Sequence, residues 1–117
     1  MLELTYQLPY PPSVNHIYQR TRKGGVMLNA KARDYREDVI SMIGTNHTAF
    51  SGNVWVRVAL YMPDKRKRDI DGPIKALLDA MTHSRVWGDD SQVRKLYIDH
   101  MGVESPGRVL VTVRAAG

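Results

Sequence analysis

The sequence predicts one mixed α/β domain of the α+β type. A single small sheet of about four to five strands carries two helices, in the order β-β-α-β-α-β-β. Three observations lead to this. Apolar and polar residues alternate near both ends of the chain and again in its middle. Two intervening stretches repeat apolar residues at helical spacing. Clusters of Gly, Pro, Asn and Ser separate these segments. A sheet with one apolar face and helices with one apolar stripe bury those surfaces against each other. The 117 residues, 43% hydrophobic and 25% charged, read as a single domain spanning 1–117 with a modest core. Pairing with a second copy would add to that core.

The first strand is read from Leu2, Leu4, Tyr6 and Leu8 alternating with Glu3, Thr5 and Gln7. Pro9, Pro11 and Pro12 end it, because proline lacks a ladder donor and restricts its predecessor. Ser13 to Tyr18 follows as a polar, partly aromatic loop. Gly24-Gly25 then makes a tight turn into a short strand at Val26 to Leu28. Asn29 caps the first helix, whose stripe is Ala32, Tyr35, Val39, Met42 and Ile43, with Gly44 as the stop. Val54, Val56, Val58, Leu60 and Met62 form the clearest strand, ended by Pro63. Gly72 and Pro73 start the second helix, whose stripe is Ile74, Leu77, Leu78 and Met81. Gln92 to Met101 reads as a strand with mixed alternation. Val109, Val111 and Val113 mark the last one.

Seventeen Lys and Arg against twelve Asp and Glu give a formal charge of +5, which favours a polyanionic partner such as nucleic acid. There is no cysteine, which excludes disulfides, thiolate metal sites and a cysteine nucleophile. Met1 to Pro12 lacks a basic segment followed by an apolar run, so no export signal is expected. No apolar stretch approaches the ~20 residues that cross a bilayer. The expectation is a soluble cytoplasmic protein without a membrane partner or an organic cofactor.

The chemistry concentrates between Met62 and Asp90. Lys65, Arg66, Lys67 and Arg68 stand directly before Asp69 and Asp71. At i, i+2 in an extended segment both carboxylates can face one way. Lys75 follows in the first helical turn, and Asp79 shares its helix face. Asp89 and Asp90 lie on the turn that begins the next strand. Converging carboxylates repel unless a cation sits among them, and magnesium prefers such hard oxygen ligands. A metal so held activates water and neutralises charge on a scissile phosphate, which Lys75 could also do. The four cations would neutralise backbone phosphates beside the site. A plainer reading stands next to this one. Aspartates before a helix are common caps, Gly-Asp-Asp is an ordinary turn, and a basic run is usually a solvated face.

Other candidates carry less. His16, His47, His83 and His100 have no metal-ligand spacing, and Ser41, Ser84 and Ser91 lack a nucleophile context. Tyr10, Tyr18, Trp55 and Trp87 could stack on bases, although packing is the commoner use of aromatics. Arg20, Arg22 and Lys23 could touch DNA from their loop, or simply form a charged hairpin.

Four islands in order resemble the RusA-type Holliday junction resolvases, crossover junction endodeoxyribonucleases of bacteria and their phages. They are Leu8-Pro9-Tyr10-Pro11-Pro12-Ser13-Val14-Asn15 with Tyr18; Met62-Pro63-Asp64 with the basic run and Asp69-Ile70-Asp71; Lys75 with Leu78-Asp79-Ala80; and Val86 to Val93 containing Asp89-Asp90. The resemblance covers nearly the whole chain. It implies a RusA-like endonuclease domain, active as a magnesium-dependent homodimer (with manganese able to substitute) that cuts four-way or other branched DNA by paired symmetric nicks in recombination and repair. It implies Asp69, Asp71 and Asp90 as metal ligands, with Asp89 as second choice, and Lys75 as a catalytic aid. It places the work in the cytoplasm of a bacterial cell or a phage-infected host. Gly72-Pro73 departs from the family, which usually has asparagine after the second acid. The competing readings are a non-catalytic branched-DNA-binding protein that retains the basic surface, and a magnesium nuclease for other branched DNA.

Overall fold

The computed structural model describes residues 3–13 and 18–116. Leu2, which the sequence reading placed in the first strand, and Val14, Asn15 and His16 lie outside them. The order of elements is β1 (Glu3–Pro9), β2 (Tyr18–Arg20), β3 (Val26–Leu28), α1 (Ala30–Ile43), β4 (Val54–Met62), α2 (Ile74–His83), β5 (Val93–Val103) and β6 (Arg108–Ala115). Strands β1, β6, β4 and β5 form a four-stranded mixed sheet in that spatial order. All neighbours are antiparallel except β4 and β5, which are parallel. The α+β class and the order of elements are as the sequence predicts, with one addition: β2 is a short strand where the sequence reading had a loop. The short strand at Val26–Leu28 joins β2 in a separate two-stranded ribbon instead of the main sheet. Its turn uses Gly24 at φ 82, a left-handed conformation that suits glycine.

Alternation in β4 becomes layering. Val54, Val56, Val58, Leu60 and Met62 are all buried, together with Val109, Val111 and Val113 of β6. Tyr35 and Val39 of α1 and Ile74, Leu77 and Met81 of α2 close over that face. Asn29 caps α1 as expected, its side chain accepting from the Lys31 amide at 3.0 Å. Gly44 ends it at φ 80. Met42 was expected in the stripe but is 58% exposed. The buried line runs through Ala32, Tyr35, Val39 and on to partly buried Ile43, and Met42 falls to one side of it. The Tyr35 hydroxyl donates to the Pro9 carbonyl at 2.8 Å and ties α1 to the end of β1.

Helix α2 is left through Arg85, at φ 62. That conformation costs a non-glycine residue roughly 1–2 kcal/mol. It turns the chain so that Val86 and Trp87 fall fully into the core. The Trp87 indole N–H donates to Thr82 Oγ1 at 2.7 Å. Trp87 is therefore a core residue and not a base-stacking platform. Leu77 is fully buried at the centre of the helix-sheet contact. Leu77→Ala is expected to lower stability by about 2–5 kcal/mol through lost contacts and a residual cavity. Urea unfolding at fixed protein concentration measures this; a change under 1 kcal/mol would contradict that placement.

Strand β5 explains its own ambiguous pattern. It lies on the sheet edge, with Leu96 38% and Tyr97 47% exposed on opposite faces. Only Val93 and Ile98 pack partly against the core, so most of the strand has little reason to alternate. Two register shifts against β4 further blur its period.

Candidate active site

The basic run folds into a braced loop. The Asp64 carboxylate accepts the Arg66 amide at 2.9 Å and an Arg68 Nη1 donor at 2.7 Å. Arg68 also donates to the carbonyls of Asp64 and Arg66, and its guanidinium lies 5.9 Å from the centre of the Tyr10 ring. These hydrogen bonds, Arg68 first, hold the Asp64 carboxyl at a pKa of about 2. A depressed carboxylate pKa means the brace is present through neutral pH and is lost only as pH falls toward 2. Arg68 is thus spent on the loop, only 15% exposed. Lys65, Arg66 and Lys67 are exposed and project from it.

Asp69 and Asp71 follow at the mouth of α2. Their backbone carbonyls build the entry turn, accepting from Gly72 at 3.3 Å and Ile74 at 3.0 Å. Their side chains do not cap the helix, whose N-cap is Pro73 without a side-chain bond. Both residues are exposed, and neither carboxylate has a hydrogen bond or ion pair among the described residues. Lys75 is likewise exposed. Asp79 is different. Its carboxylate, 9% exposed, takes a two-pronged pair from Arg36 of α1, both contacts at 2.9 Å. Asp79 therefore clamps the two helices together and leaves Lys75 on its own.

Gly72, the departure noted above, lies close against Ser13. A Cβ at this position would run into Ser13 Oγ, so the proline-rich segment leans directly on the turn between Asp69 and α2.

The closing acids divide their roles. Asp89 caps a single 3-10 turn, Asp90–Gln92, its carboxylate accepting from the Ser91 amide at 3.0 Å and from the Ser91 hydroxyl. Those bonds lower its pKa. Gln92 completes the cap by accepting the Gly88 and Asp89 amides. Asp90 is exposed, and its carboxylate has no partner among the described residues.

Register then fixes where these groups stand. Val54 pairs with Val93 and Leu60 with His100. Asp90 precedes Val93 and lies at the Val54 end of the sheet. The basic loop follows Met62 and lies at the other end, where Asp69 lines a cleft with Tyr10 and Pro63. The nine residues of β4 span roughly 30 Å, and the ten of α2 roughly 15 Å. One chain thus keeps Asp69 and Asp71 adjacent and holds Asp90 far from them. Among the described residues no group of three His, Asp or Glu side chains stands close enough for a metal.

Arg20, Arg22 and Lys23 ride on the β2–β3 ribbon, exposed around its turn. Two participants escaped the sequence reading. His100 lines a second cleft of about 520 Å³ with Arg66, Lys67 and Asp69, a closeness created by the parallel pairing of β5 and invisible in spacing. Arg36 captures Asp79 across the helix pair, and no local signal marks that contact.

A family model described as "Endodeoxyribonuclease RusA" matches residues 9–114. The chain is 35% identical over 112 residues to the protein named "Crossover junction endodeoxyribonuclease rusA" of Enterobacteria phage 82, covering 94% of this chain and 92% of the relative. The same identity and coverage hold for the proteins named "Crossover junction endodeoxyribonuclease RusA" of Shigella sonnei (strain Ss046) and Escherichia coli (strain K12).

Proposed function

The chain belongs to the RusA endodeoxyribonuclease family, and from that premise we propose that it resolves four-way DNA junctions as a magnesium-dependent homodimer in the cytoplasm, by paired symmetric nicks. The observation that carries this reading is the pair of open carboxylates, Asp69 and Asp71, set directly beside three projecting cations. A protein that only bound phosphates would do better without those two charges.

The acid set constrains the assembly. Asp69 and Asp71 offer the hard oxygen donors that magnesium takes, but one chain brings just these two together. Asp90 completes the set if it comes from a second copy. A two-fold dimer allows this, because each copy's Asp90 end can meet the other's basic-loop end. Edge strand β5 runs between those two ends and carries exposed Leu96, Met101 and Val103, so antiparallel pairing of two β5 strands is the arrangement that fits. Bound there, magnesium supplies an activated water and charge neutralisation at the phosphate. Lys75, in the first turn of α2, places an ammonium where negative charge grows on that phosphate. Lys65, Arg66 and Lys67 hold the flanking backbone, with Arg20, Arg22 and Lys23 reaching further along it. The two sites of a dimer would then face the two equivalent strands of a junction, giving symmetric cuts.

The test mixes purified protein with a synthetic four-way junction or linear duplex, with and without magnesium, and with manganese. Paired nicks in opposite junction strands, dependent on metal, are expected, with the linear duplex uncut. Binding without cutting under any divalent metal would instead identify a non-catalytic branched-DNA-binding protein. Equal cutting of flaps and forks would identify a more general branched-DNA nuclease.

A further inference from the structure

The braced loop stands between two clefts. The one with His100 lies toward β5. The other, about 490 Å³, lies between the loop and the proline-rich segment. Its walls are of two kinds. Partly buried Tyr10, Pro12 and Pro63 contribute apolar surface on segments stiffened by proline, while exposed Arg66 and Lys67 line the same cleft beside Asp69. The proline-rich wall is held in place twice: Tyr10 lies against the latched Arg68 guanidinium, and Ser13 rests on Gly72. The loop wall is held by the Asp64–Arg68 pair.

Apolar aromatic surface sharing a cleft with cations is the combination that takes one nucleotide, its base on the ring and prolines and its phosphate on the cations. We propose that this cleft holds a single unstacked DNA nucleotide, the one flanking the phosphate at Asp69. The inference rests on the nuclease reading above and goes beyond it. A base inside intact duplex reaches the cleft only by losing its stacking and pairing, whereas a base at a branch point has already lost much of both. The cleft therefore acts as the gate that distinguishes branched from linear DNA. Cations alone cannot make that distinction, since they read only the backbone.

The experiment places 5-iodouracil at each position flanking the nicked bond of a junction. Wild-type protein is bound without divalent metal and irradiated, and the crosslinked peptide is sequenced by mass spectrometry. One iodouracil position is expected to crosslink to Tyr10, with a yield about tenfold or more above the same sequence in linear duplex, reflecting the cost of unstacking there. Tyr10→Leu should lose this crosslink while gel-shift affinity for the junction falls only a few-fold. Tyr10→Phe keeps the ring and should keep it; Phe also serves as the readout if Leu fails to fold. Crosslinks that map elsewhere, or equal yields from junction and duplex, overturn the proposal while leaving the nuclease reading intact. Failure to bind the junction at all overturns both.

Discussion

Asp71→Asn is expected to bind a four-way junction at least as tightly as the wild type and to cut it on the order of 100-fold more slowly or worse. Loss of a supporting contact around a metal typically costs 10–100-fold, and loss of a ligand should exceed that. The substitution is nearly isosteric. Asp71 is exposed and its side chain makes no hydrogen bond among the described residues, so folding has little reason to change. Its backbone carbonyl, which accepts the Ile74 amide at 3.0 Å, is retained. Removing one negative charge a few residues from the basic run should favour phosphate binding, most visibly at low salt. Gel shift and cleavage time courses on the same junction separate the two effects. Normal cutting by the variant would remove Asp71 from the metal site.

Mixing two inactive variants is expected to restore activity. If each site joins Asp69 and Asp71 of one copy to Asp90 of the other, a mixed dimer of Asp71→Asn and Asp90→Asn concentrates both changes in one site and leaves the second wild type. Such a dimer should nick one strand of a junction, rising from background to a rate near that of one wild-type site. The product is a single nick and not a symmetric pair. If each site lay within one chain, both sites of the mixed dimer would be damaged and no activity would return. The prediction comes from register: Asp90 precedes the residue paired with Val54, whereas the basic loop follows the far end of the same strand. Refolding or prolonged co-incubation of the two variants, followed by denaturing gels, reads the outcome directly.

Much of the fold was legible because it is written locally. A period of two with β-branched residues leaves β4 almost no other option, and all five of its inward side chains are buried. Asn29 and Gly44 bound α1 as their capping chemistry requires. The candidate residues also drew notice in the sequence, as cations standing directly beside paired carboxylates. What those residues do within the loop was less so. Four adjacent cations look equivalent in sequence, yet Arg68 braces Asp64 and Tyr10 while Lys65, Arg66 and Lys67 face outward. Two adjacent acids look equivalent as well, yet Asp89 caps a turn and Asp90 is open. Trp87 could have been a stacking surface, and burial made it core.

The sequence by itself determined which segments become strands and helices, and which side chains carry charge around the start of α2. Those properties depend on neighbours a few residues away. Only the tertiary structure decided who meets whom. It set β5 parallel to β4 on the sheet edge, which sends Asp90 to the opposite end from Asp69 and Asp71. It gave Asp79 to Arg36, and it pressed Ser13 against Gly72. Strand order and helix packing are settled by burial summed over the whole chain, and no periodicity within a single segment encodes that sum.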